Sequence, residues 1–191
     1  MRSLDAMLSG LIYWLSPRRR RFMRQLGRPA LAPLEERLAS GGSPAAISFC
    51  STMLHANAEF LAFAISSPDG VLSRFAASAT PAIVEACLAA MLIYCAAQFA
   101  REEMQRDNGE IIPLLARVTG LEVTQVMLRR DQLRKAPRSE EWMLYGWLVA
   151  ALGGERPAYD PALERAFSYG YLSYIGQYRP ALERALAQLE S

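Results

Sequence analysis

The chain has 191 residues, 52% hydrophobic and 21% charged, with a net charge of +2. That length suits one domain with a real hydrophobic core, and the composition excludes a disordered chain. The charge is unevenly spread: residues 1–40 carry eight Arg against three acids, whereas residues 41–191 carry thirteen basic groups against sixteen acids.

A first helix is expected over residues 3–15, with Leu4, Met7, Leu8, Leu11, Ile12 and Leu15 on one face. Ser16-Pro17 breaks it. A short basic helix follows over 18–26, stopped by Gly27, and a modest one over 29–39, stopped by Gly41-Gly42. Ser43 caps a long helix over 44–66, with Pro44 at its first position. Ser67-Pro68-Asp69-Gly70 is a turn, and a short helix over 71–77 follows. Thr80 and Pro81 open a central helix over 80–107, which Asn108-Gly109 is expected to close. Between Ala86 and Ala100 it carries no charge, so it must be enclosed on all sides. Two shorter helices, 110–119 and 122–135, join at Gly120. Ser139 caps the next, which runs to Leu152 with Glu140 and Glu141 at its positive end. Asp160-Pro161 starts the last, to about Leu189, with kinks expected at Gly176 and Pro180.

Helical period throughout predicts an all-α fold: a single-domain helical bundle around two long antiparallel central helices, 44–66 and 80–107. Two parts are expected, a basic amphipathic N-terminal arm over 1–28 and a helical domain over 29–191. Twenty of the 21 basic residues are Arg, which with the abundant Ala fits a GC-rich, bacterial-like coding sequence. Cys50, Cys87 and Cys95 have no CxxC spacing and read as buried small hydrophobes in a reducing compartment. The apolar run 11–15 is trailed by four Arg, the reverse of a signal peptide's order, so a cytoplasmic protein is expected.

The catalytic inventory is poor. His55 is the only histidine, with Glu59 one turn later and Glu85 within reach on the central helix. A di-metal site wants a Glu-x-x-His motif on each of two helices, and a second His is lacking, so these three read as a satisfied buried polar cluster. No GxSxG elbow, P-loop or GxGxxG is present. Neither catalysis, nor a metal, nor a cofactor is therefore expected.

Three other patterns remain. Residues 112–135 resemble a helix-turn-helix: Ala116 is the small residue of the first helix, Gly120 the turn, and Leu121 and Val126 the buried positions. In that reading Thr124, Arg129, Arg130 and Arg134 meet nucleic acid, but Glu122, Val123, Met127 and Leu128 make a poor base-reading set. The arm places Tyr13 and Trp14 before Arg18, Arg19, Arg20, Arg21, Arg24 and Arg28. It suits a membrane surface through residues 3–24, an acidic protein partner, or a helix packed on its own core. The last helix carries an aromatic stripe, Phe167, Tyr171, Tyr174 and Tyr178, which reads as core shading into an interface.

The leading expectation is a non-enzymatic helical interaction protein: an adaptor, chaperone or accessory subunit of a larger assembly. It would bind a protein partner or its own copies through Trp14, Arg18, Arg19, Arg20, Arg21, Tyr171, Tyr174 and Tyr178. A DNA-binding regulator using residues 112–135 is the second, and a peripheral membrane protein anchored by its N-terminal helix the third.

Overall fold

The computed structural model describes residues 16–99 and 108–189, and every described element is a helix or turn. In chain order these are α1 (Pro17–Phe22), a π turn (Met23–Gly27), α2 (Arg28–Ala39), α3 (Pro44–Ser66), a 3₁₀ turn (Ser73–Ser78) and α4 (Pro81–Phe99). Then follow α5 (Asn108–Thr119), α6 (Val123–Arg134), α7 (Glu140–Ala151) and α8 (Pro161–Leu189). The all-α bundle around two long helices is thus the architecture.

The helix starts are the ones that local chemistry dictates. The Ser43 hydroxyl accepts from the Ala46 amide and Ser139 accepts from the Trp142 amide. Asp160 accepts from the amides of Ala162 and Leu163. Each satisfies amide donors that the first turn leaves without helical partners. After α3 the chain folds back on the helix end: the Leu72 amide donates to the Ala64 carbonyl at 2.9 Å. Gly70 sits so close that a Cβ there would lie 2.3 Å from the Ala64 oxygen. The expected short helix in this region is the 3₁₀ turn.

Two stops are corrected. Gly27 does not end a helix: α1, the π turn and α2 form one continuous helical run. Pro29 has no N–H for the Gln25 carbonyl, and the ladder widens just before it, with the Arg28 amide donating to the Met23 carbonyl five residues back. Asn108 and Gly109, expected as a stop, are themselves helical and lie within α5. The expected extension of α4 over 100–107 lies outside the described residues, as does the helix predicted over 3–15. α8 runs through both Gly176 and Pro180.

α3 and α4 make the centre. From Cys87 to Ala97 every α4 side chain is buried, with α2, α5, α6 and α7 packed around it. Pro81–Gln98 is long and apolar enough to cross a membrane, and 67% of it is buried inside the fold. α3 shares its largest interface with α8. There Phe60 meets Tyr171 edge-on at 4.9 Å and Phe167 at 5.6 Å, and Tyr145 of α7 meets Phe167 at 5.2 Å. Burying each ring contributes about 2 kcal/mol.

Candidate functional site

The sequence features from opposite ends of the chain meet on one face. Ser16 accepts from the Arg19 amide and Pro17 occupies the first helical position, so α1 starts with its Arg cluster on the surface. Arg19 turns inward and grips Glu59 of α3 with two hydrogen bonds, Nε to Oε2 at 2.7 Å and Nη2 to Oε1. Both side chains are about 14% exposed or less. A forked pair of this kind holds α1 on α3 in one orientation.

From the other side come Tyr174 and Tyr178 of α8, both half-buried. Burial and the Glu59 carboxylate push the Tyr174 phenol up to about 12, with Arg19 pulling the other way. Tyr178 is raised by the same causes. The Arg arm and the Tyr stripe, 155 residues apart at Arg19 and Tyr174, therefore share Glu59 as a common neighbour.

Next to this junction lies a cleft of about 640 Å³ between α1, the π turn, α2 and α3. Arg20, Arg24 and Arg28 line it, with Met23, Leu31 and Ala32 as apolar surface. Glu35, His55 and Glu59 complete it, and His55 Nε2 lies 3.1 Å from Glu35 Oε1. Arg20, Arg24 and Arg28 are exposed and have no carboxylate within ion-pair distance among the described residues. The cleft's size is that of a ligand site. The sequence shows these Arg as a run, but not that Arg24 and Arg28 share a hollow with the only histidine. That needed the π turn.

His55, Glu59 and Glu85 are not brought together. Glu59 belongs to Arg19, Glu85 pairs with Arg37, and His55 faces Glu35. Among the described residues no three His, Cys, Asp or Glu side chains are placed to hold a metal ion.

The aromatic stripe divides along its length. Phe167 and Tyr171 are fully buried. The Tyr171 hydroxyl donates to Asn57 Oδ1 at 2.9 Å and lies 3.1 Å from Cys95 Sγ, and Asn57 Nδ2 reaches the same sulfur at 3.6 Å. This closed set answers where a buried phenol finds its partner. Burial drives the Cys95 thiol up to about 11 and the Tyr171 phenol well above its ordinary range. Of the three tyrosines, Tyr171 is core, while Tyr174 and Tyr178 reach the surface.

The 112–135 unit has the expected turn. α5 and α6 are bent by 103°, with Gly120 at φ +70° and Ala116 and Val126 buried between them. Glu122 is the N-cap of α6, in a reciprocal capping box with Gln125. The outward face carries Val123, Met127 and Leu128, which are 40%, 53% and 59% exposed, with Thr124 beside them. Arg130 is buried, and burial lowers its pKa. Arg129 lies over the Trp147 ring at 5.8 Å, and Arg134 is exposed at the helix end. Trp14 and the other residues before Ser16, expected at a membrane surface or a partner, lie outside the described residues.

Neither protein-family models, nor curated proteins, nor solved structures give a match to this chain. The functional reading therefore rests on geometry.

Proposed function

We propose that this chain is a non-enzymatic helical interaction protein that docks an acidic partner protein on the face where α1 meets α8. One observation carries the reading: Arg19, Glu59, Tyr174 and Tyr178 converge, with exposed Arg18, Arg20 and Arg21 on the same helix as Arg19. Half-buried tyrosines beside a cluster of Arg are the residue types that dominate protein interfaces. The Arg would steer an acidic surface into place, and the tyrosines would supply contact area.

The test is purification of the native protein under mild crosslinking. A defined complex is expected, weakened by high salt and by Tyr178→Ala combined with Arg20→Glu. A strictly monomeric, partnerless protein would refute the reading.

The bend at Gly120 favours a second reading, a DNA-binding regulator using α5 and α6. It calls for salt-dependent duplex binding that is lost in Arg129→Ala plus Arg134→Ala. An outward face of Val123, Met127 and Leu128 offers few groups to base edges, which places this reading second.

A further inference from the structure

We infer that the cleft between α1, α2 and α3 holds an extended acidic segment of the partner protein, with carboxylates on alternate residues meeting Arg20, Arg24 and Arg28. The inference deepens the proposed function and rests on it. Three observations support it.

The first is alignment. In an uninterrupted α-helix, eight residues at about 100° each would turn Arg28 roughly 80° away from the line of Arg20. The π turn at Met23–Gly27 absorbs one extra residue, and removing its share of about 100° leaves the two about 20° apart. The widened turn thus brings Arg20, Arg24 and Arg28 onto one wall, and all three line the cleft.

The second is spacing. With one residue absorbed by the π turn, the eight residues from Arg20 to Arg28 rise about 10 to 11 Å, and the long Arg side chains spread their heads somewhat further. An extended peptide presents alternate side chains on one side every 6.6 Å or so, about 13 Å for three of them. A line of charges fits this row, and Arg is the cation best shaped for carboxylates.

The third is charge balance. Four Arg and two Glu line the cleft, a formal excess of +2 among these six side chains. Glu59 is gripped by Arg19 and Glu35 lies beside His55, and neither carboxylate is within ion-pair distance of Arg20, Arg24 or Arg28. Met23, Leu31 and Ala32 give the small side chains between the carboxylates an apolar surface to rest on.

The experiment uses the full chain and a fluorescently labelled peptide, Asp-Ala-Asp-Ala-Asp, read by anisotropy at low salt. Binding is expected, at least threefold tighter than for the isomer Asp-Asp-Asp-Ala-Ala, which has the same charge but adjacent carboxylates. Arg24→Glu should weaken it at least tenfold. Arg24→Gln should weaken it less, and circular dichroism should show both variants folded, because Arg24 is exposed. Absence of binding, equal binding of the isomers, or indifference to Arg24 overturns the inference. So does displacement by inorganic phosphate at equal concentration, which marks a small-anion site. Arg-dependent binding to vesicles containing phosphatidylserine without peptide binding overturns it in favour of a membrane. A native complex that is sensitive to Tyr178→Ala, in a protein that ignores the peptide, sinks this inference and leaves the proposed function standing.

Discussion

Tyr171→Phe is the sharpest test of the core. The hydroxyl it removes is fully buried, donates to Asn57 Oδ1 at 2.9 Å and sits 3.1 Å from Cys95 Sγ. The ring keeps its place against Phe60 and Phe167, so packing is nearly unchanged and the effect isolates one polar group. Asn57 is 0% exposed, so bulk solvent does not reach the stranded oxygen. Leaving a buried acceptor unsatisfied costs about 1–3 kcal/mol, and about 2 kcal/mol is expected here because Asn57 Oδ1 keeps only the weak Cys95 thiol donor at 3.8 Å. With a urea slope of about 2–3 kcal/mol/M, the midpoint should fall by roughly 0.7–1 M. Equilibrium unfolding followed by circular dichroism measures it. Tyr174→Phe, on the half-buried part of the same stripe, serves as control and should cost about 0.5 kcal/mol or less. Adding Asn57→Leu to Tyr171→Phe should recover part of the loss, since it removes the stranded amide and leaves only the weakly polar Cys95 thiol without a partner. A Tyr171→Phe midpoint within 0.1 M or so of wild type would refute the closed Asn57–Cys95–Tyr171 set.

Stability should also fall at alkaline pH. Cys50 and Cys87 are pushed up to about 12 and Cys95 to about 11 by burial, from an ordinary 9.0. Above pH 9 the unfolded chain sheds these protons and the folded one keeps them, so stability drops as pH rises. The three thiols together should remove about 4 kcal/mol between pH 8 and 10, measured as urea midpoints under reducing conditions. Gly70→Ala should be far worse than Gly120→Ala. The first drives a Cβ to 2.3 Å from a backbone oxygen, costing about 3 kcal/mol or more. The second meets nothing within 4 Å and pays only for φ +70°, about 1 kcal/mol, and thermal melts separate them. Arg19→Ala should cost about 3 kcal/mol by stranding the largely buried Glu59, and Arg19→Ala with Glu59→Gln should cost less than the sum in a double-mutant cycle.

The helix starts at Pro44, Glu140 and Pro161 were readable because Ser43, Ser139 and Asp160 act locally: each cap satisfies amides within its own turn. The enclosure of α4 was readable from a charge-free run. Gly27 and Asn108-Gly109 misled because a glycine signals a stop only when neighbours release the chain there. At Gly27 the chain instead stays helical, and a Cβ would press on the Met23 sulfur at 2.8 Å. The partners of His55, Glu59 and Glu85 were not readable, since Glu35, Arg19 and Arg37 come from other helices and only tertiary packing chooses among them. The split of the tyrosine stripe had a weak signal: Asn57 is an apolar helix's lone central amide, and such a group demands a buried partner.

The docking of α8 on α3 carries a consequence for biosynthesis. Asn57 waits for Tyr171, and Phe60 for Phe167 and Tyr171, more than a hundred residues later in the chain. A ribosome delivers α8 more than a hundred residues after Asn57 and Phe60, so α3 and α4 emerge with this seam open. Until α8 emerges, the nascent protein shows an apolar groove with an unanswered amide at its base, a natural target for a holding chaperone. Completion of the core therefore waits on the synthesis of α8, long after its two central helices exist.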